Sequence, residues 1–227
     1  MLKVVQKRIY LQKVILFDLD GTLIDSTEAI LESFKRSFEY FGDMVPKEED
    51  ILPQIGYPLF DMFVNLGVSR DIAQKYVDKY KENYKRVHTK KTTLLSGAKE
   101  AIKLAYSSGA LLGVVTTKTG KYSIELLEHF NLMQYFSTLV GSEDVKEHKP
   151  NPQPINLALS RLNVTNSSNV YMIGDTCMDM IAAKRAGIKA IGVEFKYTQL
   201  EELKECSNVI ECGVFEAVSN ILNKKKY

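Results

Sequence analysis

No apolar run in the 227-residue sequence approaches the roughly 20 residues that a membrane-spanning helix needs. No G-x-G-x-x-G follows any apolar run, which argues against a nicotinamide-binding protein. Cysteine is scarce: Cys177, Cys206 and Cys212 form an odd set with neither disulfide nor zinc spacing. Unpaired thiols suit a reducing compartment, and the expectation is a cytoplasmic protein. Lys3, Lys7 and Arg8 near the start are not followed by a long apolar run or a small-residue cleavage site. The formal net charge is only +2, too small to imply a nucleic-acid or acidic-membrane partner. Lys224–Lys226 reads as a solvated tail, and there is no internal repeat or low-complexity segment. The three histidines, His88, His129 and His148, are scattered, and His148 reads as a surface residue.

What the chain does have is an ordinary globular balance, 45% hydrophobic and 26% charged. Val14-Ile15-Leu16-Phe17 is branched, aromatic and short, which predicts a buried strand. Similar runs recur at Leu111–Val115, Thr138–Val140, Val170–Ile173 and Ala190–Val193, with a weaker one near Val209. Helical spacing lies between them at Ala98–Tyr106, Tyr122–Phe130, Ile155–Leu162 and Asp179–Ala186. Alternating strands and helices predict an α/β, Rossmann-like parallel sheet covered on both faces. Ligands of such sheets bind beyond the carboxyl ends of the strands.

One block breaks the alternation. From about Thr27 to Val87 the pattern is helical throughout, with Ala29–Phe41 and Ile72–Val87 as its longest helices. Gly42, Pro46, Pro53, Gly56 and Pro58 punctuate the interval between them. The expected division is a core of residues 1–25 and 93–227 with an inserted helical domain at 26–92. The stripe Phe34, Phe38 and Phe41 reads as the core of that insert. The first ten residues receive no assignment.

Four chemically distinctive segments each follow an apolar strand. Asp18-Leu19-Asp20-Gly21-Thr22 offers two carboxylates that can share one side of an extended chain. Such a pair can hold a hard cation, or divide the roles of nucleophile and proton carrier. A calcium loop of the helix–loop–helix kind would need a longer acidic ladder between helices. Thr116-Thr117-Lys118 supplies a hydroxyl and backbone N–H groups able to bind a phosphate oxygen, although hydroxyl residues also cap helices. Lys149 lies in His148-Lys149-Pro150-Asn151-Pro152-Gln153-Pro154, where three of the six prolines stiffen the loop. A pre-placed ammonium is what developing phosphoryl charge requires. Gly174-Asp175-Thr176-Cys177-Met178-Asp179 adds a second acidic pair able to complete a magnesium shell, with Cys177 as a spacer.

Taken together, DLDGT at Asp18–Thr22, a hydroxyl after the second strand, a lysine in a K-P-x-P loop and GDxxxD resemble the haloacid dehalogenase superfamily. The helical insert is similar to the cap of one of its subgroups. The run DLDGTLIDS at Asp18–Ser26 and the segment Ile55-Gly56-Tyr57-Pro58-Leu59 are similar to phosphoglycolate phosphatases. The resemblance implies magnesium-dependent hydrolysis of a small phosphomonoester through an aspartyl-phosphate. It makes Asp18 the nucleophile and Asp20 the general acid and base, with the Asp20 carbonyl helping to bind Mg2+. Thr116 and the Thr117 N–H would hold a phosphate oxygen, and Lys149 would neutralise both nucleophile and transferring group. Asp175 would be a metal ligand, and Asp179 would support the metal shell or Lys149. Thr117 departs from the asparagine common in relatives, a change that leaves its backbone contact intact.

The implied partner is a small phosphorylated metabolite, with phosphoglycolate as the candidate, and with no nucleic acid and no membrane; the oligomeric state stays open. A sugar-phosphate mutase with the same motifs remains an alternative, as do a phosphonate hydrolase using a cap lysine and a non-catalytic binding module. A dehalogenase proper is disfavoured, because Asp20 and Asp175 would have no use there.

Overall fold

A computed structural model describes residues 12–165, 167–196, 198 and 200–223. The unassigned first ten residues and the Lys224–Lys226 run lie outside them. The main sheet has the order β5-β4-β1-β6-β7-β8, and every neighbouring pair is parallel. Its strands are β1 (Val14–Phe17), β4 (Leu111–Val115), β5 (Thr138–Val140), β6 (Val170–Gly174), β7 (Lys189–Val193) and β8 (Ile210–Glu211). β1 is central and buried along its whole length, which is why its sequence is a continuous apolar run. Its side chains alternate between two cores. Ile15 and Phe17 pack with Ile102, Leu112 and Leu126, whereas Val14 and Leu16 pack with Ile155 and Met172.

Helices cover both faces. α5 (Ala98–Ser107), α6 (Gly120–His129) and α10 (Val214–Leu222) contribute to the first core, and α7 (Gln153–Arg161) and α8 (Cys177–Arg185) to the second. A short α9 (Leu200–Cys206) packs beside α8. The predicted strands and helices fall within a few residues of these bounds. α9 and α10 were not anticipated from the sequence pattern.

The chain leaves the sheet after β1 through β2 (Ile24–Asp25) and returns through β3 (Thr93–Leu94). These two pair antiparallel, Ile24 with Leu94 and Asp25 with Thr93. The sequence gives no hint of this ribbon, because two residues carry no periodicity. Between them lie α1 (Thr27–Phe41), α2 (Glu48–Ile51), α3 (Leu59–Asn65) and α4 (Arg70–Val87), with no strand among the described residues. α4 buries Ala73, Tyr76, Val77, Tyr80 and Tyr84, the three- and four-residue spacing of one helical face. That face meets Phe34, Phe38 and Phe63 in a separate aromatic core. Phe41, expected in this core, sits at its rim, 36% exposed and stacked on Tyr76.

The insert therefore rests on its own packing. Phe63 is fully buried with its ring centroid 4.6 Å from that of Phe34. Phe63→Ala should destabilise the protein by about 3–5 kcal/mol, whereas Met44→Ala, at a 91% exposed position, should stay within about 0.5 kcal/mol. Urea-denaturation midpoints of the two variants check this; equal midpoints would contradict it.

Candidate active site

Strand register gathers the site. Phe17 lies beside Val114 on one neighbour and Ile173 on the other, so Asp18, Thr116 and Asp175 emerge together from the carboxyl ends of β1, β4 and β6. The Asp18 N–H continues the ladder to the Ile173 carbonyl at 2.9 Å. All three side chains are buried. Gly21 turns the chain sharply at φ +79°, and a Cβ there would lie 2.2 Å from the Asp175 carboxylate. Gly174 makes room in the same way, since a Cβ would meet the Asp179 carboxylate carbon at 2.4 Å.

Lys149 reaches into this group from the proline-rich loop and is 4% exposed. Its Nζ donates to Asp18 Oδ1 at 2.7 Å, to Asp179 Oδ1 at 2.5 Å and to the Val115 carbonyl at 3.0 Å. An ammonium has three donors, and all are taken. Asp179 spends its other oxygen on α8, accepting from the Thr176 N–H and from the Thr176 hydroxyl at 2.6 Å. Thr22 Oγ1 donates to Asp175 Oδ1 at 3.2 Å.

Carboxylate oxygens of Asp18, Asp175 and Asp179 all lie within 4.8 Å of one another. One ammonium cannot neutralise three such groups. Burial pushes the Asp18 carboxyl up to about 7, with the Asp179 charge adding to the effect and Lys149 opposing it. Burial, then the charges of Asp18 and Asp179, lifts Asp175 well above the carboxylate range. Burial works against the Lys149 charge, but Asp179 and Asp18 outweigh it and raise its pKa. A dry cluster of oxygen ligands with excess negative charge is a fitting place for a hard divalent cation.

Asp20 stands apart from this cluster. Ser26 donates to its Oδ1, and Lys118 Nζ lies 3.0 Å from its Oδ2. The Lys118 ammonium also donates to the Tyr84 hydroxyl of α4 at 2.9 Å. Thr116 Oγ1 accepts from the Lys118 N–H at 3.1 Å, and Thr117 Oγ1 donates to the Gly56 carbonyl at 2.8 Å. The helical insert therefore closes over the strand ends at Gly56 and Tyr84, and the Tyr122 hydroxyl adds a further link by donating to the Lys81 carbonyl at 3.1 Å. Beneath it is a cavity of about 280 Å³ bordered by Asp20, Gly56, Tyr57, Tyr80, Tyr84 and Lys118.

All the singled-out residues converge on this region. Sequence reasoning gave no role to Lys118, Ser26, Thr22 or Tyr84. Lys118 was visible beside Thr117, and Tyr84 follows Tyr76 and Tyr80 at spacing four. Neither pattern tells that the two side chains meet. His88, one of the scattered histidines, is buried between Tyr84 and Tyr122, with Nε2 2.9 Å from a Glu125 oxygen.

The cysteine reading requires correction. Cys177 and Cys206 form a disulfide with Cα atoms 5.7 Å apart, which ties the first turn of α8 to the end of α9. They lie 29 positions apart in the sequence, and only the packing of two helices brings them together. Cys212 stays a free, exposed thiol. Among the described residues, no helix is long and apolar enough to cross a membrane.

Comparison with known proteins agrees with the geometry. Residues 15–193 match the family model for haloacid dehalogenase-like hydrolases. The chain is 36% identical over 179 residues to pyrophosphatase PpaX of Bacillus velezensis, covering 79% of this chain and 82% of that protein. A crystal structure described as a predicted phosphatase from Clostridium acetobutylicum superposes with a TM-score of 0.85 at 32% identity, over 94% of this chain and 99% of that one. One described as a predicted phosphoglycolate phosphatase from Haemophilus somnus shares the fold at 22% identity, with a TM-score of 0.83 over 92% and 97% of the two chains. The chain belongs to the haloacid dehalogenase-like hydrolases and carries a helical cap on its parallel-sheet core.

Proposed function

We propose that this enzyme hydrolyses a small phosphate ester in two steps through phosphorylated Asp18, with Mg2+ as cofactor. The observation that carries the reading is the buried group of Asp18, Asp175 and Asp179 around a saturated Lys149. Asp18, the Asp20 carbonyl and Asp175 would hold the cation, which on binding would offset carboxylate charge and draw electrons from the phosphoryl oxygens. Lys149 fixes one oxygen of Asp18 and leaves the other to attack phosphorus. As the phosphorus–oxygen bond to the leaving group breaks, Asp20 gives that oxygen a proton. Asp20 then takes a proton from the water that attacks the acyl-phosphate, and inorganic phosphate departs with Asp18 restored. Thr116 and the Thr117 N–H would hold a phosphoryl oxygen. Asp179 keeps Lys149 and the Thr176 turn in place. The domain division proposed here is a cap of residues 26–92 on a core of 1–25 and 93–227, consistent with the ribbon at Ile24–Asp25 and Thr93–Leu94.

Phosphoglycolate is one substrate that suits the small chamber. Inorganic pyrophosphate is a second, favoured by the name of the Bacillus velezensis relative. Both fit the same chemistry, since each offers a phosphoryl group on a small oxygen leaving group.

Asp18→Asn should leave a folded protein with less than about a hundredth of the activity, the scale of one catalytic group. Phosphate release from a small ester, with circular dichroism as the folding control, measures it. Higher residual activity in a preparation free of contaminating phosphatase would falsify the nucleophile assignment.

A second expectation concerns pH without metal. The folded pKa of Asp18 is raised from the ordinary 3.8 to about 7, so the folded state holds that proton more tightly than the unfolded one. Its stabilising contribution is present below the lower value and lost as pH rises through the upper one. Relative to Asp18→Asn, the unmodified chain should thus lose stability between about pH 4 and 7, then hold a constant deficit. Millimolar magnesium should erase that deficit. Melting curves of both proteins across pH, with and without magnesium, test this; a gap indifferent to both would contradict the carboxylate crowding.

With the cap seated on Thr117 and Lys118, large substrates cannot reach Asp20. Catalytic efficiency on phosphoglycolate should exceed that on a phosphopeptide at least tenfold. The reverse preference would overturn the closed-cap reading.

A further inference from the structure

The two buried lysines of the site differ in one respect. Lys149 spends all three donors on Asp18, Asp179 and the Val115 carbonyl, so it has none for a leaving group. Lys118 has two polar partners, Asp20 and Tyr84, and its Nζ also lies 4.6 Å from the Tyr84 ring centroid. That leaves one N–H for a ligand. Its side chain is only 9% exposed, and it borders the chamber together with Asp20, the group that would protonate the leaving oxygen in the mechanism proposed above. Most of the remaining wall is apolar or aromatic, including Ile30, Leu59, Met62, Val77 and Tyr80.

We infer that Lys118 is a specificity-determining residue that recognises an anion carried by the leaving group itself, a carboxylate or a second phosphate one or two bonds from the ester oxygen. This rests on the phosphatase reading above and deepens it. In an apolar chamber a charged leaving group loses its water, and a charge-assisted hydrogen bond must replace it. Lys118 can supply that bond without leaving its place, because Tyr84 and Asp20 hold it from two sides. A neutral alkyl group of the same size gains nothing from the ammonium. Asp20, the proton carrier, and Lys118, the anion reader, are in direct contact. A leaving group bound to Lys118 therefore presents its bridging oxygen to Asp20. Glycolate and phosphate share this chemistry, and the test separates them.

The experiment measures kcat/KM, with magnesium, for phosphoglycolate, inorganic pyrophosphate and ethyl phosphate. The unmodified enzyme should favour at least one of the two anionic leaving groups over ethanol by tenfold or more, and which one it favours identifies the source of the anion. Lys118→Met should reduce that preference about 10- to 100-fold, the weight of one charged hydrogen bond, mainly through KM. Lys118→Arg should keep part of it. An equal loss on all three substrates would show that Lys118 only positions Asp20 and would overturn the inference. So would a preference that survives in Lys118→Met but collapses in Lys81→Met, the other lysine bordering the chamber. Should Lys118→Met fail to fold, the unmodified enzyme still decides, because equal or better turnover of ethyl phosphate excludes an anion reader. Hydrolysis of none of the three would instead refute the phosphatase reading itself, and the inference with it.

Discussion

A single buried ammonium holds the centre of this protein together. Lys149 sits among Asp18, Asp179 and a carbonyl with no donor to spare, in a place where water cannot help. Taking such charges out of water costs several kcal/mol for each ion, and only near-ideal contacts offset that cost. The surrounding architecture can be read as the means of meeting this condition. β1 and β6 bring two carboxylates side by side, the first turn of α8 presents the third, and the proline-rich loop delivers the lysine from elsewhere in the chain. Removal of Lys149 would strand carboxylate charge in the interior. The glycines at 21 and 174 belong to the same arrangement, because any side chain there would collide with the carboxylates.

The site divides into two compartments of different character. The inner one is ionic and crowded, and its carboxylates share one cation among three. The outer one is mostly apolar, with the Asp20–Lys118 ion pair among its few charged residues and cap tyrosines on its wall. Chemistry at phosphorus calls for the first, and discrimination among leaving groups calls for the second. The Thr116-Thr117-Lys118 segment spans both, with Thr116 at the end of β4 and Lys118 beneath the cap.

Much of this was legible in the residues. Buried parallel strands must be apolar runs, so Val14–Phe17 and Val170–Ile173 announced themselves, and the acidic pairs that follow could only lie at strand ends. The family pattern then supplied their order. What escaped was whatever depends on two distant segments meeting. The β2–β3 ribbon is too short for periodicity. The Cys177–Cys206 bond follows from α8 lying on α9, a fact of packing with no trace in spacing. Lys118 and Tyr84 each looked unremarkable alone, and they acquire meaning from the 2.9 Å between them.

The ribbon has a mechanical consequence. Both chain crossings between sheet and insert are zipped to each other at Ile24–Leu94 and Asp25–Thr93, so they act as one strap and not as two independent tethers. A strap of that kind resists shear between its strands and bends most readily about a single line. The insert, stiffened by its own aromatic core, would then swing as one plate. Gly56 and Tyr84, at separate points on that plate, could not let go of Thr117 and Lys118 one at a time. Admission of a ligand and exposure of the inner carboxylates would become the same movement, with no half-open state in which one occurs without the other.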